Sequence, residues 1–182
     1  MLIKNTELSG LLLIEPKKYG DHRGYFMESF NADVFNKSMP GVTFCQDNES
    51  LSGSMSTLRG LHFQRPPFAQ DKLVRVLAGS VLDVVVDLRK NSTTYLEHYK
   101  VKLSCENCLQ LFVPKGFAHG LLTLEPNTQV AYKVSAPYSP ECDYGFRWND
   151  DTFNIDWPID RSPILSSKDE AWDDYSEVKN PF

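Results

Sequence analysis

The segment Thr57-Leu58-Arg59-Gly60-Leu61-His62-Phe63-Gln64, closed by Pro66-Pro67, puts an arginine, a histidine and a glutamine on one strand-like run. Strict alternation places Arg59 and His62 on opposite faces, unless Gly60 marks a bulge that re-aims one of them. An imidazole here can exchange a proton near neutral pH, although a strand histidine often serves structure alone. In residues 72–78, Lys72 shares a face with Val74, Val76 and Ala78, while Leu73, Arg75 and Leu77 form the other, so neither face is plain solvent surface. An ammonium on an apolar face is costly unless it meets an anion. That anion is either a carboxylate, from Asp83 or the C-terminal stretch, or the oxygen of an enolate formed in a reaction. Tyr132 shares a face of residues 129–135 with Val130 and Val134, as a core tyrosine with a satisfied hydroxyl or as a proton donor. Asp83 and Asp87 share a face of residues 80–88 with Val81 and Val85; composition favours a half-buried strand with a wet side over an acidic site.

These side chains need a scaffold, and the punctuation of the chain describes one. Residues 11–15, 25–30, 43–48, 57–64, 72–77, 80–88, 98–103, 109–113, 119–124 and 129–135 read as short strands. Only residues 31–38 and the tail after Ser166 read as helical. With no helices between the strands, an all-β sandwich or barrel fits and a parallel sheet does not. Ala78-Gly79-Ser80 is a tight hairpin turn. At 182 residues, 41% hydrophobic and 12% aromatic, the chain is long enough for one well-buried core, which predicts a single domain over residues 1–182.

Composition also excludes partners. A net charge of −5 argues against a nucleic-acid surface, so an anionic ligand has to be caught by a local group of basic residues. No apolar run approaches the roughly 20 residues that cross a bilayer, and the start of the sequence lacks the layout of a secretion signal, which predicts a cytoplasmic protein. Four cysteines are too few for a disulfide scaffold. The lone Cys105-x-x-Cys108 reads as a turn between strands rather than a redox or zinc motif.

Pro114-Lys115-Gly116-Phe117-Ala118-His119-Gly120 has the Pro-x-Gly-x-x-His spacing of the second cupin motif, in which the glycine turns the chain and the histidine points into the barrel. The first cupin motif supplies His-x-His and then a glutamate ahead of a glycine. Here the comparable positions read His62-Phe63-Gln64 and Lys72, ahead of Gly79. An ammonium in place of a metal carboxylate repels a divalent cation, so the chain resembles a cupin whose metal site has been replaced.

The residues match one family in particular. Asp21-x-Arg23-Gly24-x-Phe26-x-Glu28, Gln46-x-Asn48-x-Ser50, Leu58-Arg59-Gly60-Leu61-His62-Phe63-Gln64, Gln70-x-Lys72-Leu73-Val74-Arg75-Val76, Asp83-Val84-Val85-Val86-Asp87-Leu88-Arg89, Gly116-Phe117-Ala118-His119-Gly120, Tyr132-Lys133 and Leu165-Ser166-x-Lys168-Asp169 span nearly the whole chain. In this order they resemble the dTDP-4-dehydrorhamnose 3,5-epimerases. The resemblance implies a cupin-type double-stranded β-helix, a jelly-roll barrel with a few short peripheral helices, that works without metal or cofactor. It implies His62 as general base oriented by Asp169, Tyr132 as the acid on the opposite side of the sugar ring, and Lys72 as the group that steadies the enolate oxygen. Arg59, Asp83 and His119 match positions lining the sugar and diphosphate pocket. Gln46, Asn48, Arg23 and Glu28 match nucleotide-side contacts, and Tyr138 with Tyr19 or Phe26 resembles the aromatic pair that holds thymine. The stretch 23–28 is implied to reach across a homodimer interface. The end of the chain, from Glu170 through Trp172 and Tyr175 to Phe182, is more acidic than the family's closing segment, and Phe68 stands where a smaller or polar residue is common.

The implied chemistry suits these residue types. Carbons C3 and C5 of a 4-keto sugar flank the carbonyl, so loss of either proton gives an enolate on the C4 oxygen. A positioned base contributes ~10²–10⁴-fold, and a preorganised donor at the oxyanion roughly 3 kcal/mol. Inversion further needs a second group across the ring, because one base alone returns the proton where it came from. Rival readings are an epimerase acting at one carbon or a ketoisomerase, a metal-dependent cupin oxygenase, and a cupin that only binds sugar.

Overall fold

The computed structural model describes residues 1–160 and 162–182. Its elements in chain order are β1 (Leu2–Asn5), β2 (Leu12–Glu15), β3 (Lys18–Asp21), β4 (Gly24–Met27), α1 (Ala32–Ser38), β5 (Gln46–Ser52), β6 (Leu58–Gln64), β7 (Lys72–Ala78), β8 (Ser80–Asp87), β9 (His98–Ser104), β10 (Gln110–Val113), β11 (Phe117–Thr123), β12 (Thr128–Val134), β13 (Asp143–Gly145) and α2 (Ser167–Glu170). One six-stranded sheet runs β1-β2-β10-β7-β12-β5, a five-stranded sheet runs β13-β6-β11-β8-β9, and β3-β4 is a separate hairpin. The strand pairings are antiparallel, apart from an isolated parallel bridge between Thr57 and Ile164. This is the cupin-type, all-β architecture anticipated above.

The two sheets close on each other through β-branched and leucine side chains. Val74, Val76, Leu111 and Val130 from one sheet meet Val81, Val85, Leu103 and Leu121 from the other in a single cluster. The turn from β7 into β8 is made by Gly79 at φ +71, where a Cβ would stand 2.4 Å from Thr128 Oγ1. Outside the six-stranded sheet lies α1. Asn31 caps it by accepting the Asp33 and Val34 amides, and Phe35 and Met39, one turn apart, pack on Leu12, Ile14, Leu73 and Phe112.

Outside the five-stranded sheet, the irregular C-terminal stretch lays Phe146, Phe153 and Trp157 over Leu58, Phe63, Val84, Val86 and Leu122. That cover overturns the expected wet side of residues 80–88. Leu82, Val84 and Val86 lie under the tail, and the face bearing Asp83 and Asp87 turns into the core, where both aspartates are fully buried. Asp87 is satisfied there by Arg89, Ser92 and Thr94. The tail also corrects the helical expectation after Ser166, since α2 is a single turn and the rest is irregular. The expected strand 25–30 ends at Met27, and the expected strand 43–48 is displaced toward the C-terminus, to Gln46–Ser52. Strands β1, β3 and β13 went unread in the sequence. Among the described residues, no helix is long and apolar enough to cross a membrane.

Candidate active site

The site begins with a bulge. Between His62 and Arg59 the chain of β6 takes three steps, while β11 takes two from His119 to Leu121, its partners. Gly60 accommodates the extra residue at φ +120, where a Cβ would stand 2.6 Å from Gly120 Cα and from the His119 carbonyl. Leu58, Leu61 and Phe63 consequently face the cluster under the tail. Arg59 and His62 are left to face the other way together, as the sequence allows only with a bulge at Gly60.

His62 is braced from behind. Its Nε2 forms a short hydrogen bond with Asp169 Oδ1, which also accepts the Gly60 amide at 3.3 Å, while Asp169 Oδ2 accepts Ser166 Oγ at 2.7 Å. Burial pushes the Asp169 carboxyl up, but the hydrogen bonds from His62, Ser166 and Gly60 outweigh it and hold the group below the usual carboxylate range. Asp169 arrives because Ser166 caps α2 and because backbone bonds at Ile164 fasten the tail to Ser56 and Leu58. With Nε2 fixed, Nδ1 of His62 makes no hydrogen bond among the described residues and is the nitrogen open to a ligand.

A cavity of about 320 Å³ opens in front of that imidazole. His62, Lys72, Tyr132, Gln46, Asn48 and Tyr138 all line it, so the structure gathers six of the sequence-derived residues around one space. Lys72, paired in register with Val113 and Val134, stands at the start of β7. Burial lowers its pKa to about 8 from an ordinary 10.5, partly offset by the Asp143 and Asp83 carboxylates and reinforced by Lys168. Asp83, one of the carboxylates the sequence offers as its partner, is engaged by His119 instead: both Asp83 oxygens lie 3.0 Å from His119 Nε2, in a buried pair. Burial likewise raises the Tyr132 phenol, against a downward pull from Arg59 and with a further push from Asp143. Tyr132 therefore keeps its proton at neutral pH. Arg59 itself is held by Ser52 Oγ at 3.3 Å and the Leu51 carbonyl at 3.4 Å.

The rim is a second network. Gln46 donates to Asn48 Oδ1 at 2.7 Å and accepts the Tyr138 amide at 3.1 Å. The Tyr138 hydroxyl donates to Asp143 at 2.8 Å, and Lys168 pairs with the same carboxylate oxygen. Asp143, Lys168 and Gln70 line the cavity without having been singled out from sequence. Lys168 stands next to Asp169 in a motif already noted, which was the available signal. Asp143 offered none, because it reaches the cavity only through β13 pairing with β6.

Arg59, Asp83 and His119, expected in the pocket lining, are not among the residues that line the cavity, and four more expected site residues lie apart from it. Tyr19, Phe26 and Glu28 line a separate surface hollow of about 440 Å³, and Arg23, on the same hairpin, is paired with Asp21 at 2.6 Å. Phe26 is 70% and Tyr19 54% exposed. The single chain thus does not join this hairpin to the cavity, and the expected pairing of Tyr138 with Tyr19 or Phe26 is absent within it. A divalent metal does not fit the cavity either: Gln64 commits its amide to the Phe68 and Pro137 carbonyls and the Ser139 amide, and Lys72 brings an ammonium. Among the described residues no three His, Cys, Asp or Glu side chains gather as ligands.

A family model described as dTDP-4-dehydrorhamnose 3,5-epimerase matches residues 5–177. A relative from Methanothermobacter thermautotrophicus bearing that name is 50% identical over 92% of this chain and 90% of its own. A crystal structure of the Bacillus anthracis enzyme of that name, with TDP and PPi bound, superposes with a TM-score of 0.91 at 47% identity, covering 94% of this chain and 97% of that one. A Legionella pneumophila dTDP-6-deoxy-D-glucose-3,5-epimerase in complex with dTDP-4-keto-L-rhamnose matches with a TM-score of 0.91 at 44% identity, covering 95% and 92%.

Proposed function

Because the chain belongs to the dTDP-4-dehydrorhamnose 3,5-epimerase family, we propose that it is an isomerase inverting C3 and C5 of dTDP-4-dehydro-6-deoxy-D-glucose to give dTDP-4-dehydro-L-rhamnose. The observation that carries this reading is the meeting of three groups at one cavity: an imidazole backed by a carboxylate, an ammonium and a protonated phenol. His62 Nδ1 takes the proton from the carbon beside the ketone. The C–H electron pair moves into the carbonyl, and the enolate oxygen that results is steadied by the Lys72 ammonium. Tyr132 then protonates the same carbon from the opposite face, breaking its own O–H bond. Proton exchange with solvent resets imidazolium and phenolate, and the cycle repeats at the second carbon.

Asp169 holds the imidazole with Nδ1 toward the ring and favours the imidazolium that abstraction creates. Arg59 is the cation for the diphosphate, Asp83 and His119 belong to the wall of the sugar and diphosphate pocket, and Gln46, Asn48 and Tyr138 lie toward the nucleotide. The whole of 1–182 acts as one domain, in the cytoplasm, without metal or cofactor. The exposed aromatic side chains of Tyr19 and Phe26, beside Arg23 and Glu28, support a homodimer in which this hairpin completes the partner's site.

The test is incubation with the dTDP-linked 4-keto-6-deoxyglucose in D₂O, followed by NMR. Deuterium at both C3 and C5 with inversion is expected. Label at one carbon selects a single-centre enzyme, and no label removes the assignment.

A further inference from the structure

The tail supplies more to the base than the carboxylate. Asp169 lies behind His62 on α2, Lys168 beside it reaches Asp143 at the cavity rim, and the chain then turns so that Trp172 packs against the imidazole itself. The two rings stand edge to face, with centroids 6.2 Å apart and planes at 66°. The same indole carries the Lys168 ammonium 5.5 Å from its centroid. Residues 168–172 thus surround His62 from behind, from the side and toward the rim.

The seat of the indole is built for it. Gly145 on β13 is the register partner of His62, and a Cβ at Gly145 would lie 2.5 Å from the Leu61 carbonyl oxygen and 2.7 Å from both Cε2 and Nε1 of Trp172. The missing side chain leaves a slot beside the imidazole, which the indole fills with Tyr144 at its far edge, centroids 5.2 Å apart. The Trp172 Nε1–H is buried and has no acceptor among the described residues. Shape, the Lys168 ammonium and the neighbouring rings therefore hold the indole there, without a hydrogen bond of its own. The indole meets the apolar cluster under the tail through Tyr144, and it also contacts an imidazole and an ammonium, neither of which belongs to that cluster.

We propose that Trp172 is a positioning residue for proton abstraction, its indole fixing the plane of the His62 ring from the side while anchoring Lys168 at the rim. The inference rests on the reading of His62 as base. Asp169 fixes one ring nitrogen through a single hydrogen bond, about which the imidazole remains free to pivot, and the indole edge removes that freedom. A base displaced by a fraction of an ångström loses the aligned approach that proton transfer requires.

The test compares Trp172→Ala, Trp172→Leu and Trp172→Phe with the parent chain, reading kcat, KM and the rate of solvent deuterium uptake. Trp172→Ala and Trp172→Leu are expected to lower kcat and deuterium uptake together by about tenfold or more, with KM changed by less than about threefold. Trp172→Phe, which keeps an aromatic ring and lacks the unpartnered N–H, recovers most of the loss. If Trp172→Ala does not fold, Trp172→Leu decides, since it fills the slot with apolar volume but offers no aromatic face. A Leu variant with parental kcat, or a Phe variant as impaired as Leu, overturns the role for Trp172. Absence of deuterium uptake by the parent chain instead refutes the underlying function, so the two failures are distinguishable.

Discussion

Replacing Lys72 with methionine is expected to make the protein more stable and nearly inactive. Burial holds the ammonium at a pKa of about 8 against an ordinary 10.5, and this gap, at about 1.4 kcal/mol per pH unit, corresponds to roughly 3 kcal/mol by which the folded state disfavours the charge. Methionine keeps the unbranched stem and its apolar contacts. Its introduction strands no carboxylate, because Asp83 retains His119 and Asp143 retains Lys168. A gain of about 1–3 kcal/mol near pH 7 follows, alongside a loss of about 10²–10³-fold in kcat from the missing oxyanion partner. The pH dependence gives the sign. Between about 8 and 10.5 the unfolded lysine still holds its proton while the folded one has released it, so the parent gains stability with rising pH across that window. The Met variant has no such group. Its advantage is therefore full below pH 8 and more than halved by about pH 9.5. Urea unfolding of both proteins near pH 7 and near pH 9.5 measures this difference, in which other titrating groups cancel. A Met variant less stable than the parent near pH 7, or an advantage that does not shrink with pH, refutes the account of a desolvated, unpaired ammonium.

Other expectations bear on the remaining groups. Asp169→Asn, measured by steady-state kinetics, should lower kcat by about 10²–10⁴-fold with a much smaller change in KM, because the carboxylate acts through His62; equal changes in both count against the pair. Tyr132→Phe should still let His62 exchange a substrate proton with solvent deuterium but should slow inversion by about 10²-fold or more, and NMR that finds exchange and inversion falling in step would remove the phenol as the opposite-face acid. Arg59→Lys preserves charge but loses the planar fork, so calorimetric affinity for dTDP should weaken by about tenfold; unchanged affinity takes Arg59 away from the diphosphate.

The parts of this molecule legible in the sequence are those whose cause is local. Alternation and turn residues locate most strands, Asn31 marks the start of α1, and Gly60 flags the bulge that lets Arg59 and His62 share a face. The illegible parts depend on distant pieces of chain. Residues 80–88 look half-wet because nothing nearby announces that the irregular stretch carrying Phe146, Phe153 and Trp157 will cover Leu82, Val84 and Val86. Strand β13 has three residues and exists by pairing with β6, so Asp143 becomes a wall of the cavity through register alone. Lys168 and Asp143 are 25 positions apart, and Gly145 is approached by the Leu61 carbonyl and the Trp172 indole, two distant pieces of chain.

Charge pairing separates structural groups from reactive ones more sharply than burial does. Asp87 is closed by Arg89 and two hydroxyls, Asp83 by His119, Asp143 by Lys168 and Tyr138, and Asp169 by His62, Ser166 and the Gly60 amide. Each of these carboxylates has its partners at rest and gains little when a ligand arrives. Lys72 is different, because its nearest counter-charges already serve other groups and burial, which they only partly offset, lowers its pKa. An oxyanion appearing in the cavity supplies the partner that the resting protein withholds, so the interaction strengthens as the C–H bond breaks. Such a difference between ground and transition states is what accelerates a reaction, whereas equal binding of both does not. The Lys72 ammonium, free of a carboxylate partner at rest among the described residues, is thus the counterpart of the fully partnered Asp169: one waits for charge to form, and the other keeps the base fixed until it does.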